Sequence, residues 1–138
     1  MGFCVKIRDI IRPLLQEIYQ DDPWKMLVCC ILLNLTKRQQ VDGIRDELFN
    51  KYPTEYEMME ADEKELSEIL QPLGLHKKRA KTLIKFSYQW VSGFNDVKEL
   101  HGIGQYASDS WEVFQMNNVR IKPQDKVLQE YLRVEHGA

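Results

Sequence analysis

Apolar residues recur at steps of three and four along almost the whole chain, and no segment alternates convincingly with a period of two. Steps of three and four are typical of amphipathic helices, whereas alternation would indicate strands. Proline and glycine residues divide the pattern into short segments. The sequence therefore predicts an all-α protein, a compact bundle of about eight short helices, with residues 1–138 forming one domain.

Capping residues predict where several helices begin. Asp22-Pro23 indicates a helix N-terminus, because Asp is a favoured N-cap and Pro suits the first helical position. A helix is predicted from about residue 37 to 51, and Asp62 followed by Glu65 resembles a capping box for the next one. Lys122-Pro123 is predicted to open the last helix.

Composition limits the class of protein. With 43% hydrophobic and 29% charged residues, the chain resembles ordinary globular proteins and not disordered ones. We expect no membrane span and no signal peptide, since the chain lacks an apolar run of about 18 residues and a long apolar core near its N-terminus. Three cysteines, of which Cys29 and Cys30 are adjacent, form neither a disulfide framework nor a four-ligand metal site. We expect these two to be small core residues in a reducing, intracellular compartment.

Charge is unevenly distributed, although the net charge is only −2. A negative balance argues against a highly basic nucleic-acid binder. Between residues 55 and 68 acids dominate, and Lys64 is the one base, whereas residues 73–85 contain five bases and no acid. Such a run is usually a solvated helix face, but it is also what a one-sided phosphate footprint requires.

Gly102-Ile103-Gly104 lies between two helical patterns and predicts a hairpin, with a helix-hairpin-helix unit at about 96–117. Glycine adopts positive φ readily and has no Cβ to keep a partner away. Gly104 would leave the next helix with bare N–H groups, which suit a phosphate. Asp125 follows about one helix later, where a carboxylate usually caps a helix. A phosphate-binding site with a nearby acid suggests DNA chemistry.

A wider set of motifs resembles the helix-hairpin-helix (HhH-GPD) DNA glycosylases, in family order and spacing from about Ile11 to the C-terminus. Within that family the chain is most similar to the thymine/uracil mismatch glycosylase domain of the methyl-CpG-binding-domain proteins. Each motif is weak alone, and the ordered set is strong. The 138 residues contain no counterpart of the methyl-CpG-binding module, so we expect a catalytic domain alone or a short form. The motifs are Leu14-Leu15-Gln16-Glu17, Asp22-Pro23-Trp24-Lys25, Leu33-Asn34 with Thr36, Lys51-Tyr52-Pro53, Pro72-Leu73-Gly74-Leu75, Arg79-Ala80-Lys81-Thr82, Leu100-His101-Gly102-Ile103-Gly104, Tyr106, Asp109-Ser110 and Pro123-Gln124-Asp125.

The resemblance implies the HhH-GPD fold, in two lobes, and roles for residues in a base pocket. Asp125 matches the catalytic aspartate, which stabilises positive charge on the sugar and orients water as the N-glycosidic bond breaks. Tyr106 replaces the lysine with which bifunctional relatives attack C1′, so the resemblance implies a monofunctional enzyme. Tyr106 and Gln16 would line the pocket, and Gln16 offers a donor and an acceptor to a pyrimidine. Leu15 and Leu33 would be its walls. Without the resemblance, Gln16 would be an exposed polar residue and the leucines would be core.

The resemblance also implies apolar wedges that fill the gap left by an extruded base. Leu73 and Leu75 match wedge residues, although on their own they are ordinary turn-packing leucines. Leu35 departs from the pattern, because close relatives carry an arginine there. Leucine can fill the gap but makes no charged contact, and Lys37 or Arg38 could restore the charge nearby.

Contacts with the DNA backbone are expected at the hairpin and on the basic run. Gly102, Ile103 and Gly104 would hold a phosphate through N–H groups, and family members often bind a monovalent cation there through carbonyls. Lys77, Lys78 and Lys81 would contact phosphates or simply be solvated. We expect no other metal site and no iron–sulfur cluster, which needs four cysteines.

These inferences predict a monofunctional DNA glycosylase that removes thymine or uracil mispaired with guanine. Its partner would be double-stranded DNA with a mismatched or damaged base, and we expect a nuclear monomer without membrane association. One alternative changes the base, to adenine opposite oxidised guanine or to an alkylated purine. A second alternative is a non-enzymatic DNA-binding module. A third is a helical protein-interaction domain, and the negative net charge favours this third alternative.

Overall fold

The computed structural model describes residues 11–137, in which eight α-helices are joined by short turns. No strand occurs in this range, so the predictions of an all-α fold and about eight helices are confirmed. The predicted lack of a signal peptide and the third cysteine, Cys4, concern residues outside it. The helices are α1 (Leu15–Ile18), α2 (Pro23–Leu32), α3 (Arg38–Lys51), α4 (Glu55–Met59), α5 (Glu63–Leu70), α6 (His76–Ser92), α7 (Gln105–Phe114) and α8 (Lys126–His136).

Helix α2 forms the centre of the core. Asp22 is its N-cap and accepts a hydrogen bond from the Lys25 N–H at 3.2 Å, and Pro23 is its first residue, as predicted. Residues 26–32 are all buried, and a helix that is apolar on every side belongs in a protein interior. The run includes Cys29 and Cys30, which are buried as expected. None of the helices in residues 11–137 is long and apolar enough to cross a membrane.

Local capping explains the helices that follow. Helix α3 begins one residue later than predicted and ends at the predicted Lys51. Asp62 caps α5 by accepting a hydrogen bond from the Glu65 N–H at 3.0 Å. Helix α4 was not predicted, although Thr54 forms a capping box with Glu57. The pattern for α4 is weak because a five-residue helix has too few turns to show periodicity.

The C-terminal half differs from the prediction in two places. The first helix of the predicted hairpin unit is only a 3-10 turn, Val97–Glu99, before α7. The prediction that Lys122-Pro123 opens the last helix is wrong, since α8 begins at Lys126. Asp125 fixes this start because its carboxylate Oδ2 accepts a hydrogen bond from the Leu128 N–H at 2.9 Å. Pro123 lies in the loop before that cap, and its carbonyl accepts a hydrogen bond from Gln129.

Candidate functional site

A cleft of about 600 Å³ opens where α1, the end of α2, the glycine hairpin and the start of α8 meet. A volume of this size is ordinary for ligand-binding clefts, which measure about 300–1,000 Å³. The cleft is built from segments that are distant in sequence. The five residues predicted for catalysis and the base pocket all line it, namely Asp125, Tyr106, Gln16, Leu15 and Leu33.

Asp125 both caps a helix and lines the cleft. Its Oδ2 caps α8 through the Leu128 N–H, and the half-buried side chain also lines the cleft. Within residues 11–137, Oδ1 accepts no hydrogen bond. The cap therefore orients the carboxylate while one oxygen stays available to a bound molecule. A carboxylate held in this way can stabilise positive charge or accept a proton from water.

Gln16 is buried, at 2% exposure, so the alternative of an exposed polar residue is wrong. Its Nε2 donates to Tyr106 Oη at 2.6 Å and to Ser110 Oγ at 3.1 Å, which uses both amide hydrogens. Its Oε1 accepts no hydrogen bond in the described range. These contacts orient the carboxamide and leave its acceptor for a molecule in the cleft.

Burial controls the ionisation of the groups around this network. Desolvation raises the pKa of Tyr106 far above its usual range, so the phenol is neutral at physiological pH. Desolvation likewise raises the pKa of Cys30 to about 12, although a hydrogen bond with Ser110 opposes the rise. Neither group is a nucleophile near neutrality. The phenol and the thiol that line the cleft are therefore uncharged near neutrality.

Ser110 and Cys30 are the residues of this network whose roles sequence reasoning missed. Asp109-Ser110 was part of the family pattern, but no role was attached to it. Cys30 was predicted only as core, although it also lines the cleft. A usable signal existed, since Cys30 lies three residues before Leu33 and shares its helix face.

The glycine hairpin forms one edge of the cleft, through Gly102 and Gly104. Gly102 has φ of +85°, and a Cβ there would lie 2.7 Å from Thr82 Cγ2. Gly104 has φ of −98° and open space where a Cβ would be, so only Gly102 needs glycine for the fold. Ile103 is half-buried against the core and does not line the cleft.

Gly104 is the N-cap of α7 and supplies no side-chain cap. Within residues 11–137 the N–H groups of the first turn of α7 therefore have no hydrogen-bond acceptor, and they lie at the cleft edge, as expected for an anion-binding site. The carbonyls of residues 101–103 accept no backbone hydrogen bond from the described residues. These oxygens suit the predicted monovalent cation, which remains a prediction. Among residues 11–137 no three His, Cys, Asp or Glu side chains cluster as metal ligands.

The three predicted wedge leucines have different environments. Leu35 is 82% exposed, lines the cleft and has φ of +61°. Leu75 is 58% exposed and has φ of +48°. Both are strained, since a left-handed conformation is rare for a non-glycine residue. Leu73 is buried in the core, so Leu35 and Leu75 are the ones accessible to a partner.

The predicted cations also divide into two groups. Lys37 is exposed and lines the cleft, whereas Arg38 is committed to Asp42 at 2.9 Å and to the Pro13 carbonyl at 2.8 Å. Arg38 is therefore poorly placed to replace a missing arginine. Along α6 the predicted phosphate ligands Lys77, Lys78 and Lys81 are exposed, with no ion pair inside the described range.

Comparison with known proteins identifies the family to which the chain is similar. The profile described as HhH-GPD superfamily base excision DNA repair protein matches residues 28–131, which include the hairpin and Asp125. The chain is 38% identical to a methyl-CpG-binding domain protein 4-like protein of Arabidopsis thaliana, over 89% of this chain and 29% of that protein. It is 37% identical to a thymine/uracil-DNA glycosylase of Pyrobaculum aerophilum, over 63% of this chain and 41% of that protein.

The fold is also that of a solved structure, a trapped endonuclease III–DNA covalent intermediate in an estranged-adenine complex. The TM-score is 0.63 at 19% identity, over 74% of this chain and 56% of that one. The chain thus spans less than half the length of the curated relatives that it matches. Because the family profile covers about three-quarters of the sequence, the chain belongs to the HhH-GPD superfamily of base excision DNA repair proteins.

Proposed function

We propose that the protein is a monofunctional DNA glycosylase that removes thymine or uracil mispaired with guanine. The observation that carries the proposal is Asp125, a half-buried carboxylate with one uncommitted oxygen in a cleft edged by the glycine hairpin. The names of two relatives, a thymine/uracil-DNA glycosylase and a thymine-DNA glycosylase, support the choice of base. The Gln16 Oε1 acceptor supports it further, because thymine and uracil carry an N3–H donor and cytosine does not.

In the proposed reaction the target nucleotide leaves the duplex and its base enters the cleft beside Gln16 and Tyr106. The bond between C1′ and the base nitrogen breaks, and its electron pair leaves with the base. Asp125 stabilises the resulting positive charge on the sugar. A water then adds to C1′ and gives up a proton, and the base leaves protonated. The free N–H groups of α7 would hold a neighbouring phosphate meanwhile.

The absence of lyase activity rests on the lack of a suitable amine. Tyr106 is a neutral phenol, and Lys126 is exposed beside Asp125 without lining the cleft. Lys37 is the one lysine among the described residues that line the cleft. Lys37 is exposed at the cleft edge, and a Schiff-base lysine is usually desolvated.

Asp125→Asn is the decisive variant, because asparagine caps helices about as well as aspartate does. We expect wild type to release the base from G·T and G·U duplexes, which alkali then cleaves, and we expect Asp125→Asn to lose this activity by at least about 100-fold. Unchanged thermal unfolding of the variant would show that the α8 cap survives. Equal base release by both proteins would refute the role of Asp125.

A panel of duplexes tests the base and the reaction type. Adenine opposite oxidised guanine or an alkylated purine as the better substrate would replace the proposed base. Salt-sensitive binding without release of any base would favour a non-enzymatic module. Strand cleavage without alkali, with trapping by borohydride that Lys37→Met removes, would show a lyase. Double-stranded DNA as partner, a monomeric state and a nuclear location belong to the same proposal.

A further inference from the structure

The guanidinium of Arg79 joins two turns that are distant in sequence, one at Asn34 and one at Gly74. Its Nε donates to the Gly74 carbonyl at 2.8 Å, and its Nη2 donates to the Asn34 carbonyl at 3.0 Å. Arg79 is only 7% exposed, and within residues 11–137 no carboxylate forms an ion pair with it. Unlike its basic neighbours on α6, this side chain therefore points inward, and its guanidinium donates hydrogen bonds to two backbone carbonyls.

The two carbonyls belong to the peptide bonds that directly precede Leu35 and Leu75. These are the two exposed leucines with left-handed backbone, at φ of +61° and +48°. Such a conformation persists only where the surroundings impose it. A single buried side chain thus holds the peptide plane before each strained leucine, and no other described side chain donates to both turns.

We propose that Arg79 is a positioning residue that fixes the two leucine turns relative to each other, so that Leu35 and Leu75 enter a duplex as one apolar pair. The inference rests on the proposed function. The planar guanidinium suits this task, because its donors diverge at fixed angles whereas a lysine ammonium acts as a single point. Without Arg79, each turn can relax and lay its leucine on the protein surface.

Hydrogen exchange tests the positioning directly and needs no substrate. We compare Arg79→Met and Arg79→Lys with Lys64→Met, a matched control that removes one exposed charge from α5. The amides of Asn34, Thr36 and Gly74 donate hydrogen bonds within the two turns. Losing a charged donor should speed amide exchange at these three residues together, by about tenfold or more in Arg79→Met. Arg79→Lys should protect at most one of the two turns, and the control should match wild type. Protection of both turns in Arg79→Met would overturn the proposal.

A second measurement asks whether the positioned leucines act on the base pair. Single-turnover release of uracil is measured from a G·U duplex and from the same duplex with uracil opposite an abasic site, where no pair must be broken. Arg79→Lys should lower the rate on G·U by about tenfold and leave the second substrate within about threefold. In a Leu35→Ala, Leu75→Ala protein, Arg79→Lys should have no further effect.

The outcomes separate this inference from the proposed function. Equal losses on both substrates, or a full further loss in the double-alanine protein, would show that Arg79 acts only through general stability and would overturn its positioning role. If wild type releases no base from any duplex, the proposed function fails, and the hydrogen-exchange comparison alone decides whether Arg79 couples the two turns.

Discussion

The two hairpin glycines should respond very differently to the same substitution. Gly102 has φ of +85°, and a methyl group there would approach Thr82 Cγ2 to 2.7 Å and Ile31 Cδ1 to 3.4 Å. Gly104 has φ of −98° and no heavy atom within 4 Å of an added Cβ. Gly102→Ala therefore tests the fold, and Gly104→Ala tests the surface that a phosphate would approach.

The loss of stability in Gly102→Ala can be estimated from its two causes. The left-handed conformation costs an L-residue about 1–2 kcal/mol. The clash with Thr82 adds about 1–3 kcal/mol, as for other overpacked cores. The total is about 2–5 kcal/mol, a large part of the roughly 5–15 kcal/mol that stabilises a domain. For a chain of this length that corresponds to a fall in Tm of about 6–20 °C.

Urea denaturation of four proteins checks this estimate. Thr82→Ser removes only Cγ2, so adding it to Gly102→Ala should restore the steric part, about 1–3 kcal/mol, and leave the conformational part. Wild type and Thr82→Ser alone complete the cycle. A Gly102→Ala protein within about 0.5 kcal/mol of wild type, or a double variant without recovery, would refute the geometric reasoning.

Gly104→Ala should leave the fold intact and change the unfolding free energy by less than about 1 kcal/mol, because alanine restricts the unfolded chain but is a poorer N-cap than glycine. If the hairpin holds a phosphate, the added methyl group should weaken binding to duplex DNA by about tenfold, measured at fixed salt. If Gly104→Ala and wild type bind the duplex equally well at each of several salt concentrations, the DNA backbone does not contact the protein at Gly104.

Two further predictions concern buried groups. Burial raises the pKa of Cys30 to about 12 in the folded protein, from an ordinary value near 9. Above pH 9 the unfolded chain therefore holds fewer protons than the folded protein, and the unfolding free energy falls as pH rises toward 12. Cys30→Ser should reduce the slope of this fall by about one proton, and an unaltered slope would contradict the prediction. Trp24 Nε1 donates to Ser87 Oγ at 3.0 Å in the core, so Ser87→Ala should cost about 1–3 kcal/mol in urea denaturation by leaving a buried donor unpaired. Trp24→Phe should cost less in the Ser87→Ala protein than in wild type, because the unpaired donor is then removed together with the ring, and equal costs in the two backgrounds would contradict this.

Features that depend on neighbours three or four residues away were determined by the sequence itself. The three-and-four periodicity fixed the all-α class, and Asp22-Pro23 and Asp62 fixed the starts of α2 and α5, because a cap bonds to N–H groups within its own first turn. The same locality explains the error at Pro123. In the sequence, either Pro123 or Asp125 could mark the start of the last helix. In the structure the helix starts after Asp125, because its side chain accepts a hydrogen bond from the Leu128 N–H.

Features that join distant segments were decided only by the tertiary structure. The local pattern around Gln16 does not show that it is buried, because its partners Tyr106 and Ser110 come from α7, 90 and 94 residues further along the chain. Likewise, Gly102 needs glycine because of Thr82, whereas Gly104 does not. Periodicity and capping carry no information about which helix faces another, and that packing sets burial, hydrogen-bond partners and the position of the cleft.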